Sequence, residues 1–247
     1  MINITKLYAG RSTTGDPLRY GENGPERVSH GHHFKGHAVS ASAADRRPVV
    51  VWNCTRRCNF KCVHCYTDSC NLDYEGELTT EEGRRFLDDL ADFKIPALLF
   101  SGGEPLMRRD LFELAEHAVG RGLRPVLSTN GSLIDEKTAA CLKNIGFIYV
   151  GISLDGIGPT NDSFRGVAGA FESAMRGFRN CRAVGQRVGL RLTLTRRNVA
   201  DLDAIFDFLL EEKIPRACFY HLVYSGRGRT IEDEDLTHEE SRRALDT

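Results

Sequence analysis

The 247-residue chain carries 33 basic and 34 acidic residues for a formal charge of −1, so no global field draws it to nucleic acid or to a membrane surface. No apolar run approaches the roughly 20 residues that span a bilayer, and the opening Met-Ile-Asn-Ile-Thr-Lys lacks the basic-then-apolar pattern of a secretory signal. The length suits one α/β domain with a full core, and eight cysteines without an export signal point to reduced thiols and a cytoplasmic setting.

Residues 1–47 are poor in periodicity and rich in Gly, Ser and His, and read as an irregular lead-in. Within them, Ser29-His-Gly-His-His-Phe-Lys-Gly-His37 brings four histidines together, which suits either a solvated segment or a metal. From Pro48 onward a strand–helix unit repeats, and 48–247 is expected to be the core domain. The first strand is Val49–Asn53. The first helix runs over about 80–94, opened by a Thr79/Glu82 capping box and carrying Phe86, Leu87, Leu90 and Phe93 as its apolar stripe.

The second strand is Ala97–Ser101. Asp110 with Glu113 opens a second helix that Gly120 and Gly122 close. The third strand, Pro125–Thr129, leads to a helix capped by Asp135 and ended near Gly146. The fourth, Phe147–Leu154, precedes a helix over about 170–183. The fifth, Val188–Thr195, precedes one opened by Asn198 with Asp201. The sixth is Ala217–Tyr224, after which Thr237 and Glu240 cap a last helix. Six strands alternating with helices imply a parallel sheet with helices outside.

Chemistry concentrates between Asn53 and Tyr66. Cys58, Cys62 and Cys65 stand in a C-x-x-x-C-x-x-C array on the loop after the first strand. Cys62-Val-His-Cys65 alone reads as half a zinc site or a redox pair. Three soft sulfur ligands on one loop suit an iron–sulfur cube, each thiolate holding one iron and the fourth iron staying open. A second motif, Ser101-Gly-Gly-Glu-Pro105, closes the second strand, and Gly102 and Gly103 let backbone approach a ligand closely. Every strand ends in polar or glycine-rich sequence, and in barrels such ends build the site. Taken singly, these residues are ordinary turn formers.

The cysteine array and Gly-Gly-Glu-Pro together resemble the signature of the radical S-adenosylmethionine (SAM) enzymes. The resemblance implies an incomplete (β/α)₆ barrel rather than the closed eightfold one. It implies a [4Fe–4S] cluster on Cys58, Cys62 and Cys65 that chelates SAM through its open iron and, once reduced, splits it to a 5′-deoxyadenosyl radical. On the SAM side it implies Gly102, Gly103, Glu104 and Pro105 at the amino group, with the Glu104 carboxylate on the ammonium. Ser128 and Asn130 fall near the ribose or amino acid part, Ser153 and Asp155 at the ribose hydroxyls, Arg165 at the carboxylate, and Tyr66 at adenine through its backbone. It also implies oxidoreductase or lyase-type chemistry and an electron donor such as ferredoxin or flavodoxin.

Further stretches resemble the haem-biosynthesis branch, which includes 12,18-didecarboxysiroheme deacetylase and the haem d1 synthesis enzyme. They are Val49-Val-Val-Trp-Asn53, Leu98 to Met107, Tyr220 to Gly228, and the opening Ile4-Thr-Lys-Leu-Tyr8 with Leu18-Arg-Tyr-Gly21. That branch implies side-chain removal or modification on a sirohaem-derived tetrapyrrole. Its members continue into a cysteine-rich C-terminal region with a second cluster, whereas no cysteine follows Cys218 here, so the chain is expected to be truncated or to lack that cluster. Peptide maturases share the core and are the competing enzyme reading; an iron–sulfur or zinc scaffold is the non-enzyme one. Arginines follow the strands at 56–57, 108–109, 196–197 and 227 with 229, and such a basic rim suits a polycarboxylate substrate.

Overall fold

The computed structural model describes residues 2–3 and 47–246. The four histidines of 30–37 and the stretches 4–8 and 18–21 lie outside them. The element order is β1 (Ile2–Asn3), β2 (Val50–Thr55), α1 (Thr80–Asp92), β3 (Leu98–Gly102), α2 (Leu111–Gly120), β4 (Pro125–Thr129), α3 (Glu136–Ile145), β5 (Tyr149–Ser153), α4 (Pro159–Arg165), α5 (Ala170–Ala183), β6 (Val188–Thr193), α6 (Leu202–Glu211), β7 (Ala217–Tyr220) and α7 (His238–Asp246). Strands β2 to β7 are parallel and lie in chain order, and β1 adds to the outer edge of β7 in the opposite sense. The incomplete (β/α)₆ barrel is therefore the observed architecture. Part of the irregular lead-in departs from expectation, since Ile2–Asn3 supplies an edge strand. No helix among the described residues is long and apolar enough to cross a membrane.

Strand alternation separates two faces. In β5, Val150 and Ile152 are fully buried toward the helices, while Ser153 reaches the inner cavity; in β6, Leu190 and Leu192 are buried and Arg191 and Thr193 line the cavity. The buried layer between sheet and helices gathers Phe100, Leu114, Leu127, Leu142, Met175 and Phe178. At about 25 cal/mol per Å² of apolar area removed from water, this layer is what holds the helices onto the sheet.

Local signals hold where they are self-contained. Thr79 and Glu82 form the expected capping box, and Asp135 accepts from the Thr138 N–H at 2.7 Å. Thr237 and Glu240 exchange the same reciprocal bonds ahead of α7. Phe93 falls just past α1 and is exposed, with the Arg47 guanidinium over its ring. Two expected caps are put to other use. Asp110 makes no cap bond; it pairs with Arg108 and accepts from Thr80. Asn198 is buried, donates to the carbonyls of Asp155 and Thr193, and accepts from the Thr195 N–H, tying the ends of β5 and β6 together. Helix α4, unforeseen from the sequence, sits between β5 and α5 and carries Arg165 at its last position.

Candidate functional site

The cysteine loop leaves β2 at a register shift between Asn53 and Thr55. Three sets of hydrogen bonds strap it down. The Cys58 N–H donates to the Cys70 carbonyl at 2.9 Å, within the loop region itself. The Lys61 and Val63 N–H groups donate to the carbonyls of Arg165 and Phe164 at the end of α4. After β7, the Arg227 N–H donates to the Cys65 carbonyl, and its guanidinium to the carbonyls of Cys62 (2.7 Å) and Ser69 and to the Asp68 carboxylate. These bonds satisfy loop backbone groups that would otherwise be stranded.

Strand β3 ends directly against this loop. The Gly103 and Glu104 N–H groups donate to the carbonyls of Thr55 and Arg57. A Cβ on Gly102, which holds φ +127°, would stand 2.1 Å from the Thr55 oxygen, and one on Gly103 would stand 2.3 Å from that of Arg57. The two glycines are thus demanded by backbone docking as much as by any ligand.

Cys58, Cys62 and Cys65 line a single cavity of about 410 Å³ with Tyr66, Gly102, Gly103, Ser128, Asn130, Ser153 and Arg165. That volume lies within the roughly 300–1,000 Å³ of small-molecule sites. The structure therefore brings together three cysteines and seven of the ten residues expected around SAM. Tyr66 holds its hydroxyl against Asn53 and Ser101. Asn130 donates to Asn59 and accepts from Ser132.

Glu104, Pro105 and Asp155 do not reach the cavity. Glu104 is fully buried, and its carboxylate accepts from the Thr129 hydroxyl and from the Asn130 and Leu106 N–H groups, so it braces the ends of β3 and β4 where the sequence suggests an ammonium partner. Burial pushes its carboxyl up to about 7, against the lowering pull of those bonds. Pro105 is itself buried and starts a 3₁₀ turn. Asp155, equally buried, accepts from the Thr193 N–H at 2.7 Å, pairs with Arg165, and lies 3.3 Å from His64 Nε2. Through these contacts it holds the cavity-wall groups Thr193, Arg165 and His64 from behind.

The three thiols differ. Burial pushes Cys58 up to about 12, and burial likewise raises Cys62 against the nearby charge of Arg165, whose Nη1 donates to Cys62 Sγ at 3.7 Å. For Cys65 burial is the largest influence and acts upward, but hydrogen bonds from Thr67 and Ser69 and the charge of Arg227 outweigh it, leaving the thiol below its ordinary value. Metal binding displaces these protons. Among the described residues no three of His, Cys, Asp and Glu close on one ion position. A cube does not require that, because each thiolate takes a separate iron. The donor set and the space beside it fit a [4Fe–4S] cluster with an organic ligand.

The wall continues with Val51, Leu99, Thr193, Tyr220, His221 and Arg191, which sequence reasoning missed. One signal was available. Arg191 interrupts an otherwise apolar strand, and alternation forces it onto the face opposite Leu190 and Leu192. The arginine rim is largely spoken for. Arg57 pairs with Asp73, Arg108 with Asp110, Arg196 with Glu240, Arg197 with Glu234 and Arg227 with Asp68, while Arg56 donates to the Thr67 carbonyl.

A half-open parallel barrel with three cysteines and a glycine turn at its C-terminal mouth defines a class, and the comparisons agree with it. The Radical SAM superfamily profile matches residues 52–209, and the chain belongs to that family, whose enzymes use a [4Fe–4S] cluster and SAM. Over its whole length the chain is 55% identical to the Fe-coproporphyrin III synthase of Methanosarcina barkeri, covering 60% of that protein. It is 50% identical, over 81% of its length, to the pre-heme d1 synthase of Dinoroseobacter shibae, covering 50% of it. The chain thus spans about half to three-fifths of these relatives, which are of the haem-synthesis branch. Streptococcus suis SuiB bound to SAM shares the fold, with a TM-score of 0.65 at 19% identity over 80% of this chain and 45% of its own.

Proposed function

We propose that this chain is the radical SAM core of an enzyme that removes or modifies side chains of a sirohaem-derived tetrapyrrole in haem synthesis. The observation carrying this reading is the meeting of Cys58, Cys62 and Cys65 with Gly102, Gly103 and Arg165 on one cavity, in a chain more than half identical to an Fe-coproporphyrin III synthase. Cys58, Cys62 and Cys65 hold the cluster. Bound and reduced, the cluster and SAM supply a 5′-deoxyadenosyl radical that takes hydrogen from a carbon of the substrate.

The remaining roles belong to the chain. Gly102 and Gly103 present backbone to SAM, Ser128, Asn130 and Ser153 offer polar contacts along β4 and β5, and Tyr66 closes one side. Arg165 faces the carboxylate end of SAM, held in place by Asp155. Glu104 acts at one remove by fixing Asn130 and Thr129. The reaction takes place in the cytoplasm with a one-electron donor such as ferredoxin or flavodoxin. Residues 48–247 form the core domain and 1–47 lead into it, apart from Ile2–Asn3, which pair with β7.

The test is anaerobic reconstitution of the wild type and of the Cys58→Ala/Cys62→Ala/Cys65→Ala triple variant, followed by iron counting and incubation with SAM, reductant and candidate tetrapyrroles. Wild-type protein should bind four irons, cleave SAM and change the mass of a sirohaem derivative, and the triple variant should do none of these. A triple variant that keeps a full cluster would sink the ligand assignment. Cleavage of SAM with no tetrapyrrole altered, but with a peptide modified, would move the substrate to the maturase class.

A further inference from the structure

Among the described residues, Arg165 and Arg191 are the arginines on the cavity wall, and they stand in different circumstances. Arg165 is paired with Asp155 and touches the Cys62 sulfur, which ties it to the cysteine end. Arg191 lies on β6, four strands along the sheet from β2. Its guanidinium forms no ion pair and no hydrogen bond among the described residues; its one contact of note is with the Tyr220 ring, 4.9 Å away.

The fold makes room for this side chain. Gly151, on the neighbouring strand β5, has a backbone over which the Arg191 stem passes, and a Cβ there would stand 2.7 Å from Arg191 Cδ. The stem is thereby guided across β5 while Tyr220 supports one face of the guanidinium plane, leaving its donor edges available. Among the described residues this half-buried cation has no counterion, and a ring face replaces only part of the hydration it gives up. A ligand carboxylate would supply that counterion, and a fork of N–H donors on a supported plane matches a carboxylate in two-point geometry.

We propose that Arg191 is a specificity-determining residue that binds a side-chain carboxylate of the substrate, on the β6–β7 part of the cavity wall. This rests on the tetrapyrrole reading and deepens it: the rim arginines are mostly neutralised by neighbours, so recognition of an acidic arm falls to the guanidinium inside the barrel. SAM also carries a carboxylate, but Arg165 stands nearer the cysteines that would hold it, which leaves Arg191 to the second ligand.

The experiment titrates the cluster-loaded full chain, without oxygen, with iron coproporphyrin III, which bears four carboxylates, and with its tetramethyl ester, following the Soret band. SAM affinity is measured in parallel. Wild-type protein should prefer the acid. Arg191→Gln should weaken acid binding on the order of tenfold to a hundredfold, the range expected for losing a charge-assisted hydrogen bond, and should leave ester and SAM binding unchanged. Arg191→Lys should restore part of the loss. Gly151→Ala keeps the charge but displaces it, and should weaken the acid selectively as well. Acid binding that is unaltered in both Arg191→Gln and Gly151→Ala overturns the proposal, as does a wild type that binds acid and ester equally. A loss of SAM affinity alone overturns it too, assigning Arg191 to SAM. A wild type that binds neither porphyrin overturns the tetrapyrrole reading and this proposal with it.

Discussion

Gly103 shows how a single position can serve two purposes that its motif does not separate. Its N–H donates to the Thr55 carbonyl, and it lines the cavity, yet a side chain there would strike the Arg57 backbone oxygen before any ligand. Gly103→Val is accordingly expected to displace the cysteine loop, because a backbone oxygen cannot rotate away as a side chain could. Overpacking in a close-packed site costs about 1–3 kcal/mol, and here the strain falls on the segment carrying Cys58. Iron content after reconstitution should fall along with SAM affinity. Gly120→Ala, whose Cβ would meet nothing within 4 Å, is the control and should reconstitute like the wild type. Full iron content in Gly103→Val with only SAM binding lost would show that the glycine serves the ligand alone.

Among elements, the segment after β7 governs the cysteine loop from a distance of some 160 residues in sequence. Arg227, one of the arginines that the sequence places on a substrate-steering rim, turns inward to the loop, donating to the Cys62 and Ser69 carbonyls and pairing with Asp68 at 2.7 Å. Hydrogen bonds from a charged donor contribute about 1.5–3 kcal/mol each. Arg227→Gln should therefore loosen the loop, measured as faster loss of iron to a chelator and faster amide exchange at Val63 and Cys65. Arg227→Lys keeps the charge but not the fork, and should recover only part of the protection. Iron loss at the wild-type rate in Arg227→Gln would mean that the Cys70 and α4 bonds suffice.

At the scale of the molecule, the buried Glu104 carboxyl links folding to pH. Its folded value is pushed up to about 7 from an ordinary 4.5, chiefly by burial. Between those values the folded chain keeps a proton that the unfolded chain has released. Its contribution to stability is thus greatest below pH 4.5 and declines as the pH rises through 7. The full shift corresponds to about 3 kcal/mol. Denaturant unfolding of the cluster-free chain across that window should show this decline for the wild type. Glu104→Gln should be less stable at the acid end, having lost an acceptor for Thr129 or Asn130, but its curve should be flatter. Parallel curves for the two proteins would refute the linkage.

What the sequence determined by itself was whatever depends on spacing along the chain. The cysteine array, the Gly-Gly-Glu-Pro turn, the six parallel strands and the capping boxes at Thr79 and Thr237 all follow from neighbours a few residues apart, where backbone periodicity dictates geometry. Helix α4 was within reach, bracketed by Pro159 at its start and Gly166 after its end, but seven residues are too few to display an apolar period. Tertiary structure alone decided where polar side chains point. Glu104 and Asp155 stand just past strand ends, where from the chain each could equally face a ligand or a neighbouring strand, and Asn198 stands where the chain suggests only a helix cap. They face their neighbours because a buried carboxylate or amide must find donors and acceptors, and the adjoining backbone supplies them at 2.7–2.8 Å. Arg191 is the converse case. The sheet sets it on the cavity face with no acidic partner among the described residues, and no spacing in the sequence could reveal that.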